Sequence, residues 1–405
     1  MKKKKIAVFL NSIEPLFLPK EEQRALWGIV CDKSPLHSFA NMRCSFSLLP
    51  IAYKKKRPLS TVEEMIRGTN LTATLKRASI TAVVVPHRSS SILVRWARAN
   101  GIELLGTNDA QQRFLEDKRS FDRLLRRFDV PVPERVMPST LSRFTNRRLV
   151  VQKSASFGGF GTRFCFGKDI TAKTITSRML VREYIHGIPA GISIFMDGGG
   201  NYFCSAIRRQ CFSLANGIPD AFIGIQWIPT HTLSERTIAR INEMTKALID
   251  LLSAERFIGV ANIDFIISKS GVFVLECNPR FSSATPQIIM HPDLTPHSNP
   301  WRFLLNAFCN IPNQKIHNPS LPPSTYRGAL LDVDVHHSVI VPIPPPLGPR
   351  PFFLFHELPR SAHLVAGDTL CVIMHDQPLF SSRGTYTPHA RSLIKKCLRE
   401  FSLQP

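Results

Sequence analysis

Residues 261–283 read ANIDFIISKSGVFVLECNPRFSS. Two runs of β-branched and aromatic residues flank Lys269-Ser270-Gly271, which is turn chemistry between paired strands. Taking that tripeptide as a three-residue loop with Gly271 left-handed, Ser268 faces Val272 and Ile266 faces Val274. Asp264 then falls directly opposite Glu276, and Asn278 projects from the same face two residues on. Like charges opposed across strands are destabilising, so the pattern calls for a cation between the carboxylates. A hard divalent ion fits, Mg2+ or Mn2+, because magnesium is usually held by one or two carboxylates plus water and phosphate oxygens. Phe265, Ile267, Phe273 and Leu275 are expected to cover the opposite face. A slip of one residue would carry Asp264 across the sheet and abolish the site. The plainer alternative is a half-exposed hairpin whose carboxylates meet only water or Arg280.

The rest of the chain decides between these. Its 405 residues are 43% hydrophobic and 20% charged, a globular composition long enough for two to four cores. No apolar run approaches the roughly 20 residues needed to span a bilayer, and no membrane partner is expected. MKKKKIAVFLNSIEP at the start has too short an apolar run for a signal peptide and reads as a first buried strand. Nine cysteines without C-x-x-C or metal-ligand spacing point to reduced thiols in a cytoplasmic setting. The formal charge of +22 favours anionic partners such as nucleotides, polycarboxylates or nucleic acid. Because the excess is spread along the chain with no zinc-finger, homeodomain or RNP pattern, specific nucleic-acid recognition is not expected.

KIAVFL (5–10) and TAVVVP (81–86) read as buried strands, followed by a helix through Ile92, Leu93, Trp96 and Ala97 that stops at Gly101. With IELLGT next, residues 1–110 are expected to form a parallel α/β unit. Residues 108–129 read as one helix capped by Asn108 or Asp109, ended by the prolines of DVPVPERV. Strands follow at RRLVVQK, TRFCFG and MLVREYIHG. GISIFMDGGGNYFCSAI reads as a hairpin, and 233–254 as a helix with Ile238, Ile241, Met244, Leu248 and Leu251 on one stripe. Residues 311–325 read as a Pro- and Asn-rich linker, and the remainder as a small β-rich unit.

In this order the motifs resemble the ATP-grasp superfamily over roughly residues 80–310. EDKRSFDRLLRRFDVPVPE resembles its entry helix, LVVQKSASFGGFGTRF its lysine strand and glycine loop, MLVREYIHG its hinge strand, and NIDFIISKSGVFVLECNPR its magnesium hairpin. The resemblance implies an α/β protein in three parts: a pre-ATP-grasp domain (1–110), a two-lobed ATP-grasp domain (111–310) and a small β-rich domain (311–405). It implies Mg-ATP, with Asp264, Glu276 and Asn278 as metal ligands and Lys118, Lys153, Gly158, Gly159 and Gly161 at the phosphates. Glu183, Tyr184 and Ile185 would meet the adenine. Arg280 would sit near the phosphates, and Arg208 would steady the transferring phosphoryl group or bind an acidic substrate.

The chemistry implied is carboxylate–amine ligation through an acyl phosphate, in a chain that, like many relatives, forms homodimers. A nucleotide-binding sensor or assembly partner with little ligase turnover is the alternative. The tail ELPRSAHLVAGDTLCVIMHDQP resembles a branch tied to tetrahydromethanopterin and methanofuran-like one-carbon cofactors, and pyrrolysine-type ligases share the layout. Two departures stand out. GIPAGIS offers only Ala190 and Gly191 where relatives carry an acid for the ribose, and Ser154 replaces a common proline, a change expected to matter little.

Overall fold

The computed structural model describes residues 5–10, 15, 18–31, 44–51, 62–68, 70–85, 88–155, 161–171, 173, 175–176, 178–215, 218–296, 299–334, 339–342, 352–354, 361–364, 369–382 and 384–400. The N-terminal part contains β1 (Ile6–Phe9), α1 (Lys20–Arg24), β2 (Trp27–Cys31), β3 (Ser47–Ile51), α2 (Val62–Gly68), α3 (Leu71–Arg77), β4 (Ala82–Val84), α4 (Ser91–Asn100) and β5 (Glu103–Leu105). The strands form a parallel sheet in the order β3-β2-β1-β4-β5. β1 and β4 lie side by side at its centre, buried on both faces, which is why they read as unbroken apolar runs. β2 and β3 had no comparable signal. Ser90 caps α4 through its Oγ, which accepts from Leu93 N at 3.1 Å, and Gly101 closes it in the left-handed region at φ 64°.

The expected helix over 108–129 is two: α5 (Asp109–Glu116), capped by Asn108, and α6 (Lys118–Arg127). Asp117 breaks the run with extended backbone (ψ 108°) and becomes the N-cap of α6, its carboxylate accepting from Ser120 N at 2.8 Å. A carboxylate there satisfies amide groups that a continuous helix would bond internally.

β6 (Arg148–Lys153), β7 (Thr162–Phe166) and β8 (Met179–Glu183) form a small sheet in the order β7-β6-β8. The large sheet begins with β9 (Ile188–Asp197), β10 (Tyr202–Cys204), β11 (Arg208–Ala215) and β12 (Ile218–Trp227). Helix α7 (Glu235–Ala254) precedes the opening hairpin, β13 (Ile258–Ile267) and β14 (Val272–Asn278). Two helices, α8 (Thr285–Met290) and α9 (Pro300–Phe308), and the two-residue β15 (His317–Asn318) lead to β16 (Ala329–Asp334). The chain finishes with β17 (Val339–Pro342), β18 (Phe352–Leu354), β19 (Ser361–Leu364), β20 (Thr369–His375) and α10 (Pro388–Glu400). The sheet runs β14-β13-β9-β11-β12-β16-β20-β18, so C-terminal strands extend the sheet that carries the hairpin. α10 had not been expected; its buried Ala390 and Cys397 pack against β16 and β20 residues.

One face of the large sheet buries Ile192, Ile194, Ile263 and Phe265 under α6 and α7, with Ile241, Met244, Leu248 and Leu251 of the expected stripe fully covered and Ile238 only half-buried. The other face packs Phe195, Phe203 and Trp227 against α8, α9 and the N-terminal sheet. Glu276, Asp264, Gly191 and Arg208 lie on this second face.

The hairpin departs from its sequence reading in an instructive way. Ser268 and Gly271 exchange backbone hydrogen bonds (2.8 and 3.3 Å), so the turn has two residues, not three. Gly271 is not among the positive-φ glycines. Near the turn Ile267 pairs with Val272 and Phe265 with Val274, one step off the expected register. A β-bulge at Leu275 restores the step, and Asp264 does face Glu276. The apolar cover is therefore Phe265 with Val272 and Val274, all buried, while Phe273 and Leu275 are half-exposed.

Candidate active site

Directly opposed residues of antiparallel strands share a face. Glu276 on β14 opposes Asp264 on β13, Asp264 opposes Gly191 on β9, and Gly191 opposes Arg208 on β11. Arg208 opposes Trp227 on β12. Four strands thus set two carboxylates, a gap and a guanidinium in one row.

The glycine makes that row possible. A Cβ on Gly191 would lie 3.0 Å from Asp264 Oδ1 and 3.1 Å from Arg208 Nη2. Where the sequence showed a missing acid, the structure shows space that the Arg208 guanidinium fills. Arg208 is 3% exposed, donating from Nη1 to Ser193 Oγ (3.1 Å) and from Nη2 to Asn262 Oδ1 (3.3 Å), with Asp264 Oδ1 at 4.0 Å. It is no ordinary surface arginine. Burial lowers its pKa while Asp264 opposes that shift.

Asp264 is pushed up to about 7, first by burial and then by the Glu276 charge, against the pull of Arg208 and a hydrogen bond from Gln210. Two carboxylates held this close are a poor arrangement unless something positive joins them. Lys118, the first residue of α6, supplies part of it: its Nζ is 3.0 Å from Glu276 Oε2, with the lysine side chain 6% exposed. Asn278 Nδ2 faces both acids, 3.2 Å from Asp264 Oδ2 and 3.4 Å from Glu276 Oε1, while its Oδ1 accepts from Arg280 Nη2 at 3.3 Å. Among the described residues no three His, Cys, Asp or Glu side chains gather as a metal cluster. The oxygen donors facing the gap are the two carboxylates, and Asn278 would add its Oδ1 only with its amide turned over; two carboxylates completed by waters and phosphate oxygens suit magnesium.

Arg280 is aimed by Glu116, whose Oε1 accepts from its Nε at 3.0 Å, while Glu116 Oε2 meets Arg88 Nε at 3.0 Å. Asn262 ties the two arginine segments together: its Oδ1 accepts from Ser193, Arg208 and Ser282, and its Nδ2 donates to the Arg280 carbonyl.

On the small sheet, Lys153 ends β6, exposed, with its backbone N donating to Gly161 O at 3.1 Å. Gly161 has φ 78°, and a Cβ there would approach Lys153 Cδ to 2.9 Å. Gly158 and Gly159 lie outside the described residues. Ser154, expected to matter little, ties the small sheet to the start of α6: its hydroxyl donates to the Asp117 carboxylate and its carbonyl accepts from Lys118 N at 3.0 Å. Burial alone would raise Asp117; hydrogen bonds from Ser154, Ser120 and Arg119 outweigh it and hold the group low.

Glu183 is the last residue of β8, a largely buried strand in which an unpaired carboxylate would be costly. It is half-buried and paired with Arg147 Nη1 at 3.0 Å. Tyr184 N donates to Arg148 O (3.0 Å), its ring stands edge-on to Phe164 and stacks near His186, and Ile185 is half-buried beside it. The structure thus brings Asp264, Glu276, Asn278, Lys118, Arg208 and Arg280 together on the large sheet and α6, with Lys153, Gly161, Glu183, Tyr184 and Ile185 on or beside the small one. Gln210, Asn262, Ser193 and Arg182 escaped the sequence reading. A polar residue inside an apolar strand, as in ANIDF or LVREY, was the available signal.

Comparison with known proteins gives this architecture its class. Residues 115–284 match the family model of the ATP-grasp domain, and this segment is an ATP-grasp domain. The carbamoyl phosphate synthase large chain of Clostridium acetobutylicum is 23% identical over 201 residues, 46% of this chain. The match covers 18% of that relative, so the chain spans less than a fifth of its length. Among solved structures, the biotin carboxylase domain of Hydrogenobacter thermophilus 2-oxoglutarate carboxylase, in complex with MgADP, ADP and bicarbonate, superposes with a TM-score of 0.65 at 12% identity, over 98% of this chain and 89% of that one. Phosphoribosylamine–glycine ligase from Thermotoga maritima gives a TM-score of 0.62 at 12% identity, over 98% and 96%. At such identities the likeness is one of fold. No helix among the described residues is long and apolar enough to cross a membrane.

Proposed function

We propose that this chain binds Mg-ATP between its small and large sheets, that a carboxylate attacks the γ-phosphate to give an acyl phosphate and ADP, and that an amine then displaces inorganic phosphate to form the amide. The observation that carries this reading is Asp264 held opposite Glu276, with Asn278 beside them, inside an ATP-grasp domain. When bound at these three residues, magnesium would offset phosphate charge and orient the phosphates.

The chain's own residues do the rest. Lys153 from the small sheet and Lys118 from α6 would meet phosphate oxygens as point charges. Arg280, fixed by Glu116, faces the transferred group. Arg208, buried and rigid, presents a preorganised cation to an anionic acceptor, where little reorganisation is needed. Glu183, Tyr184 and Ile185 line the adenine end, and Gly158 and Gly159 are assigned to the phosphate loop on sequence alone. In the same reading the acceptor belongs to a small-molecule or cofactor pathway, and the chain works as a cytoplasmic homodimer.

The test is Mg2+-dependent ATP binding by calorimetry on the wild type and Glu276→Gln. The wild type is expected to bind only with the metal, and the variant to lose most of that binding. A wild type that binds no ATP with Mg2+ at millimolar nucleotide refutes the proposal.

A further inference from the structure

The Leu275 bulge poses a question that the hairpin alone does not answer. Continued unbroken from the turn, the ladder would set Leu275 opposite Asp264 and Glu276 opposite Ile263. Ile263 is fully buried in the apolar core under α6 and α7, so the carboxylate would be driven inward. The bulge prevents this, but a bulged residue leaves the ladder locally unpaired, and its partly buried carbonyl then needs a donor from outside the ladder.

Arg182 supplies the donor. It projects from β8, is 2% exposed, and donates from Nη1 to Leu275 O at 3.1 Å. Its Nη2 donates to Gln152 Oε1 on β6 at 2.8 Å. Its charge is balanced from α6 by Asp122, wholly buried, with Oδ1 at 3.9 Å from Nη1. Asp122 is itself fixed by Arg126 Nε at 3.1 Å. Burial lowers the guanidinium's pKa, while Asp122 and then Glu276 raise it. A buried arginine whose fork reaches the small sheet and the bulge carbonyl at once is a strut between the two lobes.

We propose that Arg182 is a positioning residue for Glu276: by bonding the Leu275 carbonyl it stabilises the bulge that turns Glu276 toward Asp264. The inference rests on the metal–nucleotide reading above and adds that the hinge strand of the small sheet sets the geometry of the metal carboxylates.

The test uses the full chain, with Mn2+ as the metal probe and a non-hydrolysable ATP analogue. Mn2+ affinity in the ternary complex is measured by electron paramagnetic resonance, and metal-free nucleotide affinity by calorimetry. In Arg182→Met, Mn2+ affinity is expected to fall by about tenfold or more, the usual range for removing a residue that orients a ligand. Metal-free nucleotide affinity should change far less. Deleting Leu275 in that background removes the surplus residue, so the regular ladder returns Glu276 to Asp264, and Mn2+ affinity is expected to recover.

Should Arg182→Met fail to fold, Arg182→Lys carries the test, since it keeps the charge but lacks the two-pronged fork. Unchanged Mn2+ affinity in a folded variant overturns the proposal, as does an equal loss with and without metal. A wild type without Mn2+-dependent nucleotide binding is a separate result, and overturns the functional reading itself.

Discussion

Asp264→Asn is expected to make the protein more stable and less able to bind metal. Asp264 is 8% exposed, and burial followed by the Glu276 charge raises its carboxyl from 3.8 to about 7. A raised carboxyl binds a proton more tightly in the folded state, so the stability it contributes is full below the unfolded value and is lost as pH rises through about 7. At about 1.36 kcal/mol per pH unit, that interval sets a ceiling of about 4 kcal/mol on the cost of the ionised group above neutrality. Glu276 shares this penalty, so we expect about 1–3 kcal/mol from the substitution. Asparagine has nearly the same volume and keeps an acceptor for Asn278.

Melting curves recorded in chelator at about pH 8 and about pH 4.5 isolate the titration. The variant should melt a few degrees higher at the alkaline pH, with the gap closing on the acid side as wild-type Asp264 takes up its proton. Mn2+-dependent nucleotide binding should be lost at both. If the variant melts below the wild type at alkaline pH, or the gap does not change with pH, then the carboxylate pair is not a stored electrostatic cost and the argument for a metal between them fails.

Three further substitutions follow from particular contacts. Gly161→Ala meets a φ of 78° and the Lys153 side chain, and should cost about 1–3 kcal/mol by denaturation while weakening ATP binding through a displaced Lys153. Ser154→Ala removes the bond to Asp117 and should cost about 1 kcal/mol; because Asp117 is held low in the folded state, its contribution is present at neutral pH and lost on acidification, so the deficit should shrink in acid melts. Lys118→Met leaves Glu276 without its close cation and should lower the melting temperature and weaken ATP binding together; unchanged values of both would remove Lys118 from the site.

The sequence by itself determined the ingredients and their order. Alternation along ANIDFII and VFVLECN set Asp264, Glu276 and Asn278 on strands, and the buried runs at 5–10 and 81–86 announced a parallel sheet. Gly101, Asn108 and the 233–254 stripe were legible for the same reason: period, cap and stop are local. The opposition of Asp264 and Glu276 was reached from sequence through a turn of the wrong length, because a two-residue turn and a bulge at Leu275 cancel, and no local pattern distinguishes that pair of steps from none.

Arg208, Gly191 and Arg182 mark the other limit. Their roles depend on which strands become neighbours, on a Cβ that is missing one strand away, and on a carbonyl left unpaired 93 residues further along the chain. Burial then turned an ordinary arginine into a buried cation and raised Asp264 far above the usual carboxylate range. Such shifts come from desolvation and from charges brought close by packing, quantities that exist only once the strands have been placed side by side.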